Sequence, residues 1–345
     1  MAVCALVAMP TAASSAGVAA APGWTVDKVR FEPVAGALGV ADVGEYKGAI
    51  DVVRGGAGVA VVNEVGLDDY VKGISEVPVS WPAEAQKAQA IAARTYALWQ
   101  MTRTQPGAVS DICPTQACQV YAGLTKERRP GAEAWTSAVD ATAGQVLVWR
   151  GGPIVAKYSS TNGGRSVAGG QPYLRAVNDP DDAVSPYHRW QASLPFATLA
   201  GIFAPPGTLT GVSRVGDSAV FDWTAPDPTT GEPVPGQLVV PIADFRARVN
   251  AAVPAPPGLP LTLPSVRFSM GSDGAGSAVV AGQGWGHGIG MSQYGALGKA
   301  QRGMKAPDIL AAYYAGLRPV VVPPEQLPRT IRVLVDPGRA SAQVT

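Results

Sequence analysis

The chain has 345 residues, enough for one large domain or two and for a sizeable core. Its 27 Lys and Arg stand against 26 Asp and Glu, a formal net charge of +1, so no global field draws it to nucleic acid or anionic lipid. An apolar content of 47% excludes a disordered chain, and 41 Gly with 31 Pro mark a turn-rich globular protein.

In chain order, residues 1–23 are small and apolar, with Pro10 interrupting them and Ala, Ser and Gly filling the approach to Trp24. They read as the remnant of a secretory signal without its basic n-region, or else as a disordered terminus. The apolar part is far shorter than the roughly 20 residues of a membrane span, and no other apolar run reaches that length. Residues 24–66 alternate short apolar runs with Gly clusters, the pattern of short strands and tight turns. Leu67–Tyr70 then precedes a loop carrying Gly73, Pro78 and Pro82.

From Ala83 to Met101 neither Gly nor Pro occurs, which predicts the strongest helix of the chain. Pro82 suits its first position, and Glu84 falls in the first turn, where the helix dipole favours an anion. Ala85, Ala88, Ala90, Ala92, Ala93 and Ala97 leave almost no bulky face, as in a buried helix that neighbours approach closely. Lys87 and Arg94, seven apart, project from one side of it, either as a solvated edge or as functional cations.

Gln145–Val148 and Pro153–Ser159 read as a hairpin around Gly151 and Gly152, leading to the polar turn Ser160-Thr161-Asn162-Gly163-Gly164. A Pro- and Gly-rich stretch follows, with strand-like pieces at Gly211–Val215, Ala219–Trp223 and Gln237–Val240 and a short helix near Ile242–Val249. Val320–Pro328 is punctuated by Pro, and Thr330–Val335 begins another strand. Residues 319–345 thus read as a linker and the start of a truncated C-terminal segment. The fold class expected is α+β: a single large domain with a central buried Ala-rich helix, several small mixed or antiparallel sheets and long Gly/Pro-rich loops.

The only histidines are His188 and His287, which excludes a three-histidine zinc site. His287 sits in Gly282-Gln283-Gly284-Trp285-Gly286-His287-Gly288-Ile289-Gly290-Met291-Ser292-Gln293-Tyr294-Gly295, where glycines let backbone approach a ligand and polar side chains alternate with aromatics. No Gly-Lys-Ser/Thr follows, so it is no phosphate-binding P-loop, and no long apolar strand precedes it, as a dinucleotide fingerprint would need. A Gly-rich structural turn is the plainer alternative. In Ser75-Glu76-Val77-Pro78 a carboxylate stands between apolar neighbours, where burial would raise its pKa. An acid protonated near neutral pH is what cleavage of a glycosidic bond requires, since the leaving oxygen must receive a proton.

Together these segments resemble the SpoIID/LytB family, the stage II sporulation protein D and amidase-enhancer proteins of bacterial cell walls. The resemblance rests on Leu67-Asp68-Asp69-Tyr70-Val71-Lys72-Gly73, Ser75-Glu76-Val77-Pro78, the run Trp81 to Ala97, Ser159 to Gly164 and the His287 loop. Asp308-Ile309-Leu310 and Tyr313-Tyr314-Ala315-Gly316 are similar to the family's closing helix, and Phe245-Arg246 with Ser265 and Phe268 to its middle strands. It places a catalytic domain at 67–318, with 194–268 as its β-rich portion. It implies a secreted, cell-wall lytic transglycosylase that cleaves bonds between N-acetylmuramic acid and N-acetylglucosamine in glycan strands stripped of stem peptides, leaving 1,6-anhydro ends. Glu76 matches the catalytic glutamate, and one carboxylate can act first as acid and then as base.

Lys87 and Arg94 match family positions that would hold the sugar or tune Glu76, although such cations lower a carboxyl pKa and desolvation must outweigh them. Ser160, Thr161, Asn162, Gln283, Ser292 and Gln293 are the expected hydroxyl partners, Trp285 and Tyr294 the stacking surfaces, and His287 an orienting group or a structural histidine. Glu76, the Thr161-Asn162 turn and the His287–Gln293 loop are expected to converge on a glycan groove. Some family members bind zinc in the segment corresponding to Asp111–Tyr121, through Cys and His. Here no histidine lies nearby, so a disulfide between Cys113 and Cys118 is expected instead, with no cofactor. The alternative function is a non-enzymatic amidase enhancer that binds the wall and a partner amidase; an amidase itself would want a zinc site.

Overall fold

The computed structural model describes residues 27–55 and 58–345; the signal-like segment 1–23, with Cys4, lies outside them. Eight α-helices and several small sheets, mostly antiparallel, give the described residues the mixed α+β architecture expected. The chain divides into two compact units. One comprises Met1–Pro78, Ala97–Asp140 and Pro323–Thr345, the other Val79–Tyr96 and Ala141–Val322.

In the first unit an antiparallel sheet runs in the order Lys28–Phe31, Ala49–Arg54, Val59–Gly66, Thr330–Arg339. The strand expected from Thr330 extends to Arg339, pairing along Val59–Gly66 with two register shifts beyond Leu334. Ile50, Val61, Val62, Ile331 and Val333 of this sheet are buried, at about 0.8 kcal/mol of stabilisation per buried methylene. Leu67–Tyr70 proves to be the start of a helix, Leu67–Lys72, with Asp68 and Asp69 in its first turn and Lys72 in its last, as the dipole favours. Six residues are too few to stand alone. The fully buried Trp135, from the helix Ala132–Asp140, donates its indole N–H to the terminal Lys72 carbonyl at 2.9 Å.

The predicted long helix is Ala83–Met101, its residues to Tyr96 belonging to the second unit. It has the bounds expected, but the Pro82 carbonyl accepts from the amides of Ala85 and Gln86, which places the proline just ahead of the helix and not at its first position. The six alanines named above are buried as predicted, and its buried polar side chains are hydrogen-bonded, with only Gln86 Oε1 and Gln89 Nε2 among their described atoms left without a partner. Thr95 Oγ1 donates to the Ile91 carbonyl and accepts from the Leu147 amide at 3.0 Å, while Gln86 Nε2 donates to the Val79 and Trp81 carbonyls.

The predicted hairpin is narrower, pairing Val148–Trp149 with Gly152–Pro153 around Arg150 and Gly151, both left-handed at φ 51° and 83°. Tyr158–Ser159 instead runs parallel to Met291–Ser292. The Pro/Gly-rich portion holds two three-stranded sheets. One is Thr208–Val215, Ser218–Pro226 and Pro233–Pro241; the other is Arg189–Pro195, Ser277–Gln283 and Phe268–Ser272. Trp190, Ala192 and Leu194 alternate inward along Arg189–Pro195. Phe245-Arg246, likened to a strand, lies in the helix Ile242–Ala252, where Phe245 packs with Phe203, Phe221 and Phe268 at centroid distances of 5.4, 6.0 and 6.2 Å.

Candidate functional site

Glu76 belongs to the first unit. The loop Gly73–Val77 leaves the Leu67–Lys72 helix and is strapped to the segment Gln119–Ala122: the Ala122 amide donates to the Gly73 carbonyl and the Ser75 amide to the Val120 carbonyl. A side chain at position 73 would put its Cβ 2.4 Å from the Tyr121 ring, so glycine is required for this approach. The Val120 amide in turn donates to Glu76 Oε1 at 2.7 Å. The carboxylate is half-buried, between the buried Ile74 and Val77. The buried Lys126 donates to the Val77 carbonyl at 2.6 Å; burial, and secondarily Arg129, lower its pKa to about 8, with the charge of Glu76 opposing. Cys113 and Cys118 are joined by a disulfide with Cα atoms 5.6 Å apart, and the Tyr121 amide donates to the Pro114 carbonyl inside that loop.

The other candidate residues lie in the second unit, where two polar loops are hydrogen-bonded together. Thr161 and Trp285 exchange amide-to-carbonyl bonds at 3.2 and 3.0 Å, the Tyr294 amide donates to the Ser160 carbonyl, and the Val167 amide to the Gly288 carbonyl. Gly284, Gly286, Gly288 and Gly290 all have φ between 69° and 96°, so the alternating glycines mark a backbone that turns left-handed at every second residue. At Gly290 a Cβ would also lie 2.0 Å from the Lys157 carbonyl oxygen.

Beneath these loops lie two fully buried carboxylates. Asp182 accepts from Thr161 Oγ1 at 2.6 Å, the Asn162 amide at 2.9 Å, Ser292 Oγ at 2.5 Å and His188 Nδ1 at 2.9 Å. Burial alone would raise its pKa, but these donors outweigh it and hold the carboxyl below its usual value. Asp179 accepts from Asn162 Nδ2 at 2.8 Å, Tyr313 Oη at 2.5 Å and Lys299 Nζ at 2.5 Å. The side chains of Thr161, Asn162 and Ser292 thus point into a buried network, and that of Gln293, also buried, donates to Gln89 Oε1 at 3.3 Å.

What this unit presents outward is aromatic. Trp285 meets Tyr187 edge-on at 5.2 Å, and Tyr294 meets Trp81 at 5.1 Å and Tyr187 at 6.2 Å, all four half-buried. Gln283 and Ser160 are likewise partly exposed. His287 Nδ1 accepts from the Ile289 amide at 2.9 Å, which puts the ring proton of the neutral form on Nε2. Desolvation, then the Lys157 ammonium, lower its pKa to about 4, against a hydrogen bond with the Tyr158 backbone, so the imidazole is neutral at pH 7. Lys87 and Arg94 diverge in environment. Lys87 pairs with Glu84 at 2.9 Å, whereas Arg94 is fully buried and donates to the Gln145 carbonyl at 3.3 Å.

The sequence reading missed Asp179, Asp182, Lys299 and Tyr313, along with Trp81 and Tyr187. The one available signal was the acidic run Asp179-Pro180-Asp181-Asp182 in a chain with only 15% charged residues.

A sequence model of the family described as stage II sporulation protein matches residues 56–149, the stretch holding Glu76, Lys87, Arg94 and both cysteines of the disulfide. The chain is 30% identical to stage II sporulation protein D of Bacillus amyloliquefaciens over 282 residues, 74% of each chain. It is also 30% identical to that of Bacillus subtilis (strain 168) over 273 residues, again 74% of each. The similarity to the amidase enhancer of Bacillus subtilis (strain 168) is 28% over 304 residues, 71% of this chain and 39% of that one.

Proposed function

This chain belongs to the SpoIID/LytB family, a premise from which we propose that it is a cell-wall lytic transglycosylase with Glu76 as its acid and base. Supporting this is the hydrogen bond from the Val120 amide to Glu76 Oε1, which fixes one oxygen of a half-buried carboxyl on a loop braced by a disulfide-closed neighbour. In its protonated form Glu76 delivers a proton to the glycosidic oxygen. The bond from that oxygen to C1 of the muramyl sugar breaks, the sugar's 6-hydroxyl closes onto C1, and the hydroxyl proton returns to Glu76. No water is consumed and the acid is regenerated.

The glycan strand is assigned to the aromatics of the second unit, Trp285 and Tyr294 with Trp81 and Tyr187, because sugar rings stack on such half-exposed faces. Gln283 and Ser160 supply hydroxyl partners beside them. Thr161, Asn162, Ser292 and Gln293 position the loops that carry these groups, and the neutral His287 ring, held between the Ile289 amide and the Tyr158 backbone, orients the same loops. Lys87 and Arg94 are positioning residues of the long helix. The disulfide suits an oxidising, extracytoplasmic compartment, and among the described residues no helix is long and apolar enough to cross a membrane.

The test is to incubate peptide-free glycan strands with wild type and Glu76→Gln and to look for anhydro ends by mass spectrometry. Wild type is expected to release them and Glu76→Gln to do so about 10²–10⁴-fold more slowly. Equal product from both removes Glu76 from the mechanism. No product from a folded wild type that stimulates a wall amidase favours the enhancer reading instead.

A further inference from the structure

Apart from Gln283, the residues lining a concavity of the second unit take no part in the assignments above. It encloses about 880 Å³ over the sheet that contains Arg189–Pro195, and Arg189, Arg214 and Arg267 line it with Gln191, Ser269 and Gln283. No carboxylate is among its lining residues. Arg214 directs its donors to the Gly216, Val266 and Phe268 carbonyls and to the exposed Asp217, so it contributes charge alone.

Arg189 and Arg267 differ. Arg189 Nη1 donates to the Gly163 and His188 carbonyls at 2.6 and 3.1 Å, and Arg267 Nη1 to the Asn162 carbonyl. Among the described residues neither guanidinium has a carboxylate within 4.0 Å, and the Nε and Nη2 donors of both are without a hydrogen bond. Burial lowers the pKa of Arg267, the Asp182 carboxylate opposes this, and the charge of Arg189 adds to it. Two cations within electrostatic reach, each with open fork donors, are stabilised by an anion between them.

We propose that Arg189 and Arg267 form a carboxylate subsite that takes the lactyl carboxylate of a muramyl residue whose stem peptide has been removed. The assignment rests on the glycan reading above. Both arginines clamp carbonyls of the Asn162-Gly163 turn, and Gln283 belongs to the cleft and to the Gly-rich loop alike, so the cleft continues the surface formed by the Thr161–Trp285 pair. A muramyl residue that still carries its peptide has an amide in place of this carboxylate and offers the forks no charge. The subsite therefore reads whether the peptide is gone.

Calorimetry on the full chain compares three ligands of equal length: peptide-free glycan oligomers, the same oligomers with the lactyl carboxyl capped as a methylamide, and chitooligosaccharide. Wild type is expected to bind the free carboxylate at least about tenfold more tightly than the capped form. Arg189→Gln and Arg267→Gln should each bring that ratio toward one while leaving chitooligosaccharide affinity unchanged. Arg267 also supports the Asn162 carbonyl, so Arg189→Gln decides the matter if Arg267→Gln fails to fold. A wild-type ratio near one, or an undiminished ratio in Arg189→Gln, overturns the subsite. If such a protein still cleaves both strands, the transglycosylase assignment stands; if wild type binds no saccharide, both fall. Tighter binding of a glycerol-phosphate polymer than of the strands, with the same arginine dependence, overturns the carboxylate assignment in favour of a phosphodiester.

Discussion

Replacing Asp182 by Asn keeps the shape of the side chain and removes the charge that ties the Thr161 turn to the Met291–Ser292 strand. Oδ1 accepts from the Asn162 amide and Ser292 Oγ, Oδ2 from Thr161 Oγ1 and His188 Nδ1. An amide retains one acceptor oxygen and turns an NH₂ group toward the other pair of donors. Hydrogen bonds to a buried charge contribute about 1.5–3 kcal/mol each. Losing two and weakening two, less what the hydroxyls regain by rotating, costs about 3–5 kcal/mol. At about 2–4 °C per kcal/mol for a unit of this length, the second unit should melt roughly 6–20 °C lower at pH 7. The wild-type carboxyl titrates below its usual value, so its contribution is complete above the unfolded pKa of about 3.9 and is lost as pH falls through the folded one. Differential scanning calorimetry from pH 7 to pH 3 should therefore show the gap between wild type and Asp182→Asn closing only in acid. A change in Tm below about 2 °C at pH 7, or a gap that stays constant to pH 3, would refute the claim that this carboxylate holds the loops as an anion.

Cys113→Ser combined with Cys118→Ser opens a loop whose ends are 5 residues apart, which the chain-entropy account values at about 2 kcal/mol. It should lower the urea midpoint of the first unit, and kcat on glycan strands should fall with little change in KM, because Val120 no longer holds Glu76 as firmly. In a histidine NMR titration the His287 ring should titrate near pH 4, and Lys157→Met should move that midpoint upward; a midpoint at 6 to 7 in the wild type contradicts the desolvated neutral ring described above.

The Ala83–Met101 helix was legible because its signals are local: an unbroken run of helix formers, a proline before it and an acid in its first turn. The strands between Thr208 and Pro241 were legible for the same reason, their apolar runs being bounded by Gly and Pro. Glu76 could be picked out by its neighbours in the chain, but the amide that orients it comes from Val120, 44 positions away. Asp179 and Asp182 could not be found locally at all. Their run looks like any solvated acidic turn, and what makes it a buried anchor is contributed by Ser292, Lys299 and Tyr313, between 110 and 134 positions away.

That distance also explains why Thr161, Asn162 and Ser292 read as ligand contacts. A short polar side chain among glycines offers the same O–H or N–H donors whether its acceptor is a sugar hydroxyl or a carboxylate of the protein, and the local sequence does not distinguish the two. A fully buried carboxylate must be met by donors, or its desolvation would not be offset. Asp182 draws in these groups from both loops and so sets the spacing at which the Thr161 turn and Trp285 pair. Among the donors without such an internal acceptor are the Nε and Nη2 groups of Arg189, at the start of a strand, and of Arg267, just ahead of one, residues whose neighbours in the chain give no sign of it.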